Sequence, residues 1–143
     1  MAKDTTRVFV FPIKGREADV AKLIQSISKA GCEVICQNAK PADYEKCLKA
    51  ANVLVILICS ETMNDATLDK LVALASRDGK RVVGVWLPGA NTPEIPAALD
   101  RHGDAVITLD VESIRKSICG STPTWTTPDG GPRPTPKTPR HKG

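Results

Sequence analysis

The stretch from Val53 to Cys59 constrains this chain more than any other. It reads Val-Leu-Val-Ile-Leu-Ile-Cys, apolar at every position and rich in β-branched residues. A strand covered on one face alternates apolar and polar residues. A strand with no alternation must be covered on both faces, which places it at the centre of a parallel sheet with helices above and below. The five aromatics, Phe9, Phe11, Tyr44, Trp86 and Trp125, are too few to build a core. The interior must be aliphatic, as the interiors of such sheets are. At 143 residues the chain has room for one domain with a sizeable core.

Strands and helices alternate around that central segment. Arg7 to Pro12 reads as a first strand closed by proline. Val20, Leu23, Ile24 and Ile27 form one apolar stripe of a helix over 17–30, with Gly31 as its stop. Cys32 to Gln37 is a short second strand, and Pro41 and Asp43 open a second helix with Tyr44, Cys47, Leu48 and Ala51 on its apolar face. Asn64 or Asp65 caps a third helix carrying Leu68, Leu71, Val72 and Ala75. Arg81 to Leu87 is the fourth strand, Pro93 to Pro96 starts a short helical turn, and Asp104 to Leu109 is the fifth strand. A last helix over 111–119 ends at Gly120. This alternation predicts an α/β fold with right-handed crossovers: a doubly wound, flavodoxin-like five-stranded parallel sheet in the order 2-1-3-4-5.

The net charge of +4 is concentrated beyond residue 120. There Arg133, Lys137, Arg140 and Lys142 face one acid, Asp129, alongside six of the eleven prolines. We therefore divide the chain into a domain at 1–120 and a disordered, basic, Pro/Thr-rich tail at 121–143, a tether or a docking strip for an acidic partner. The charge gives no reason for the domain itself to grip nucleic acid. The cysteines, Cys32, Cys36, Cys47, Cys59 and Cys119, are odd in number, sit mostly in apolar segments and contain no C-x-x-C pair. They read as buried free thiols of a cytoplasmic protein, with no zinc site. The charged start leads directly into a strand, and no apolar run reaches the ~18 residues that span a bilayer.

In a sheet of this order, ligands bind outside the carboxyl ends of the strands. The loop after the first strand puts Lys14, Gly15 and Arg16 at a helix N-terminus, a pattern suited to phosphate. Gln37 and Asn38 follow the second strand, Ser60, Glu61 and Asp65 the third, and Trp86 closes the fourth. Strands one and three end in Phe11-Pro12 and Cys59-Ser60 rather than in acidic residues, and C-x-x-C and G-x-S-x-G are absent, which excludes a phosphorylated receiver, a thioredoxin-like redox centre and a serine hydrolase.

Three segments carry a resemblance: Val8-Phe-Val-Phe-Pro-Ile-Lys-Gly-Arg-Glu17, the run from Ala51 to Ser60, and Trp86-Leu-Pro-Gly continuing through Ile95-Pro96 to Ala105-Val-Ile-Thr. Over residues 7–118 the chain resembles Toll/interleukin-1 receptor (TIR)-like domains and nucleoside 2-deoxyribosyltransferase-like N-glycosidases. Enzymatic members of both cleave or exchange a base–ribose bond. The resemblance implies a catalytic carboxylate on the third helix, ahead of small residues. Setting Ala73 and Ala75 against those residues puts Asp69 where the families carry glutamate. It further implies that Lys14, Gly15 and Arg16 hold phosphate, Ser60 contacts ribose, Trp86 flanks the base, and Asn38, Glu61 and Asp65 complete the pocket, with Glu61 and Asp65 as alternative carboxylates. NAD or a nucleoside monophosphate would be substrate, no cofactor is required, and the setting would be bacterial-type signalling or defence. The alternative is a catalytically inactive module that assembles with itself or a protein partner through the domain surface and the tail.

Overall fold

The structure, a computed structural model, describes residues 5–90 and 94–132. Five strands form one sheet in the order β2-β1-β3-β4-β5: β1 Arg7–Val10, β2 Glu33–Ile35, β3 Val53–Ile58, β4 Arg81–Trp86 and β5 Ala105–Ile107. Every neighbouring pair is parallel. The fold is the doubly wound, flavodoxin-like sheet that the alternation predicts. Its central strand β3 is buried at all six positions.

The helices divide between the two faces. α1 (Glu17–Lys29) lies beside α6 (Val111–Ile114), which runs into a wider π turn over Arg115–Cys119. On the other face α2 (Tyr44–Ala50) touches α4 (Ala66–Arg77), and α4 touches α5 (Ala97–His102). The stripes read from the sequence face inward: Leu23 and Ile27 on α1, and Leu68, Leu71, Val72 and Ala75 on α4, are all buried. A further single turn, α3 (Ser60–Met63), occupies the loop after β3. Asp65, not Asn64, caps α4, its Oδ1 accepting from the Leu68 N–H at 3.0 Å.

Several ends differ from the sequence reading. β5 is shorter than 104–109, because the Asp104 carboxylate turns back to accept the Val82 N–H at 2.8 Å. The expected turn at 93–96 is displaced. Residues 94–96 are non-helical, and α5 starts after Pro96, whose fixed φ suits the position before a first turn. Pro93 itself lies outside the described residues.

Two expectations need larger corrections. Four of the five cysteines are not free: Cys32 pairs with Cys119 and Cys36 with Cys47, at Cα separations of 5.6 and 6.1 Å. Cys59 is the remaining free thiol and is buried. β2 is thus covalently tied at both of its ends, to the last helix and to α2. The pairing removes the free-thiol argument for a reducing compartment.

The packed body also continues past 120. The Val106 N–H donates to Thr124 O (2.8 Å), the Thr126 N–H donates to Val106 O (2.9 Å), and Trp125 packs against the core. An edge strand leaves a row of unpaired amide groups, and residues 124–126 satisfy those of Val106 on the edge of β5. Proline and threonine content concealed this role. Residues 133–143 of the expected tail lie outside the described residues. Among the described residues, no helix is long and apolar enough to cross a membrane.

Candidate functional site

The strand order reverses between β1 and β3, and there the loops after the two strands meet. Arg16, at the start of α1, reaches across to α3: its Nε lies 3.0 Å from Glu61 Oε1, and the Ser60 hydroxyl donates to that same oxygen at 3.0 Å. The Arg16 guanidinium, then the Glu61 backbone N–H and the Ser60 hydroxyl, hold the Glu61 carboxyl down to about 2. Its bond to Glu61 in turn keeps Arg16 firmly protonated. Both groups are charged at neutral pH and face solvent at the carboxyl end of the sheet.

Beside this cluster a cavity of about 400 Å³ opens between β3 and β4, with Arg16, Cys59, Ser60, Trp86, Gly89 and Glu94 among its walls. The Trp86 ring is 2% exposed. Its Nε1–H donates to Thr126 O at 3.0 Å, which fixes the indole. Thr62, fully buried, accepts the Cys59 N–H at 3.1 Å and donates to Leu57 O at 3.0 Å, which locks the turn carrying Ser60 and Glu61. Burial pushes the Cys59 thiol up, leaving it protonated.

The anticipated residues do not share one pocket. Gly15, at φ +91°, turns the chain so that Lys14 and Arg16 diverge. Lys14 lines a second cavity of about 670 Å³ with Gln37, Asn38 and Tyr44, between α1 and the β2–α2 loop. Tyr44 closes its floor against Phe9 and Phe11, with ring centroids 5.8 and 5.6 Å away. The helix start is also already supplied with acid. The Gly15 N–H donates to Glu17 Oε2 at 3.1 Å, and Arg16 lies 3.6 Å from Asp19 as well as against Glu61. A phosphate would have to compete with these carboxylates for Gly15 and Arg16. Asp65 is engaged as the cap of α4. Asp69 stands exposed on the first turn of α4 and lines neither cavity. The structure therefore joins Arg16, Ser60 and Trp86 around one cavity, with Glu61 bonded to its Arg16 and Ser60 walls, sets Lys14 and Asn38 at another, and leaves Asp65 and Asp69 apart from both.

Sequence reasoning missed Thr62 and Thr126. Thr62 stands in a Ser-Glu-Thr-Met turn that gave a local signal for a cap. Thr126 acts through its backbone carbonyl, which leaves no mark on residue type. Among the described residues, no group of His, Cys, Asp and Glu is placed to hold a metal ion.

The fold is that of a doubly wound α/β domain, with the Arg16–Glu61–Ser60 cluster at the β1–β3 switch point. No protein-family model matches the chain, and no curated protein matches it. Among solved structures it is similar to the Clostridium botulinum CMP N-glycosidase BcmB, with a TM-score of 0.52 and 17% identity over 79% of this chain and 97% of that one. At that identity the likeness speaks for the fold.

Proposed function

We propose that this chain binds a nucleotide at the carboxyl end of its sheet and cleaves the bond between base and ribose. The observation that carries the reading is the pairing of Glu61 with Arg16 and Ser60, two residues that line the cavity between β3 and β4. Cleavage of an N-glycosidic bond passes through a ribose with oxocarbenium character, and an ionised carboxylate beside the anomeric carbon stabilises that charge. Glu61 is ionised at any physiological pH, and Arg16 holds its pKa well below the ordinary carboxylate range. In this reading Glu61 faces the sugar, Ser60 meets a ribose hydroxyl, and Arg16 gives up part of its pairing to the phosphate. Trp86 borders the base.

Nucleoside monophosphates are the first substrates to try, since the solved structure it resembles is that of a CMP N-glycosidase. NAD is the second, and a place in bacterial-type signalling or defence goes with it. Proton NMR of the purified chain with CMP, dCMP and NAD in separate samples will detect released base or nicotinamide. We expect release that falls by about a hundredfold or more in Glu61→Gln, the scale on which one stabilising group acts, and that persists in Asp69→Ala. The reverse pattern would return the catalytic role to Asp69.

A second reading has its own support. Glu61 is already neutralised by Arg16, Asp65 caps a helix, and Asp69 lies off the cavities. A domain with its carboxylates so engaged suits binding or assembly without turnover. Absence of release from all three nucleotides, with line broadening of one, would favour it.

A further inference from the structure

The cavity between α2 and the loop after β2 contains a disulfide in its wall. It measures about 480 Å³ and is lined by Cys36, Asn38, Ala39, Asp43, Lys46 and Cys47. The two halves of the bridge differ in access. Cys36 is exposed, while Cys47 sits on the inner face of α2 with 4% exposure. Cys36 is also the one non-glycine at positive φ among the described residues, at +57°, a conformation sparsely populated by L residues. The bridge ties this residue to α2. The other bridge is less open: Cys32 is 7% exposed, and its partner Cys119 is half-buried against the core.

The geometry points to Cys36–Cys47 as a thiol-exchange site for a small peptide thiol carrying both a carboxylate and an ammonium group. The incoming thiolate attacks the sulfur of Cys36, the accessible one. A new S–S bond forms between the small thiol and Cys36 as the Cys36–Cys47 bond breaks. The electron pair leaves on Cys47, whose thiolate takes a proton from water. No external oxidant is needed, since one disulfide is exchanged for another. Lys46 and Asp43 on the same cleft offer opposite charges to a zwitterionic reagent, and Lys46 favours the approach of an anionic sulfur. Exchange would free the loop bearing Gln37 and Asn38, which walls the cavity of Lys14 and Tyr44.

Glutathione is the probe. The oxidised full chain is incubated with it at neutral pH, quenched, unfolded in N-ethylmaleimide and mapped by mass spectrometry. The expected product carries one glutathionyl group on Cys36 and maleimide on Cys47 and on the already free Cys59, with Cys32–Cys119 intact. Lys46→Gln, a surface change, should slow the reaction several-fold without altering circular dichroism. The chain has a single tyrosine, Tyr44, three residues from Cys47. Its ring resonances should shift on exchange while the indole signals of Trp86 and Trp125 stay in place. Attack on the Cys32–Cys119 bridge at an equal rate would overturn the assignment. So would a simultaneous shift of all three aromatic residues, which would make exchange a product of unfolding.

Discussion

At Glu61 one guanidinium does most of the work of keeping a surface carboxylate ionised. The consequence for stability has a definite sign. The folded state holds the group at about 2, below its ordinary 4.5. Its contribution is therefore present above the unfolded value and is lost as pH falls from there through the folded value. Denaturant midpoints measured from neutral pH down to about 2 should show Glu61→Gln losing less stability than the parent over that window. The individual side chains here were legible in the sequence as a set, not as an arrangement. Ser60, Glu61 and Arg16 were named from their place after strands one and three. What could not be read is the turn at Gly15, where a left-handed backbone sends Lys14 one way and Arg16 the other. Asp69 was placed by likeness alone, and the helix phase puts it next to buried Leu68 but facing out.

Among the elements, β4 and α5 show how closely the layers approach. Gly84 faces α5, and a Cβ there would fall inside any permitted contact with Leu99 Cδ2 while lying 3.1 Å from Ile58 Cδ1. Both neighbours are buried, so neither can swing away. Gly84→Ala should destabilise the protein by about 1–3 kcal/mol, the usual cost of overfilling a core, measured as a lower denaturant midpoint. The strands and long helices were legible because their periodicities are clean, and β3 fixed its own central place by having none. Segment 124–126 was illegible for the opposite reason. Its threonines and proline neighbours announce a loop, and only an unpaired edge on β5 gives them something to do. The cysteine pairing was equally hidden. Proximity across 87 residues is a property of the sheet, and an odd count with no C-x-x-C spacing argued for thiols.

For the molecule as a whole, the two bridges are unequal. Closing a longer loop removes more freedom from the unfolded chain. With sequence separations of 87 and 11, loop-closure entropy assigns about 4–5 kcal/mol to Cys32–Cys119 and about 3 kcal/mol to Cys36–Cys47. Urea unfolding should accordingly show Cys119→Ser losing more stability than Cys47→Ser, and a reversed order would mean that native contacts near Cys47 outweigh chain entropy. The longer bridge also sets a problem of timing. On a ribosome adding about 5–20 residues per second, Cys32 waits roughly 4–17 seconds before Cys119 is polymerised, with Cys36 and Cys47 already beside it. The newborn chain must survive that interval without joining the wrong sulfurs. Early burial of Cys32 beneath α1, before the last helix exists, is what would keep its thiol waiting for the distant partner.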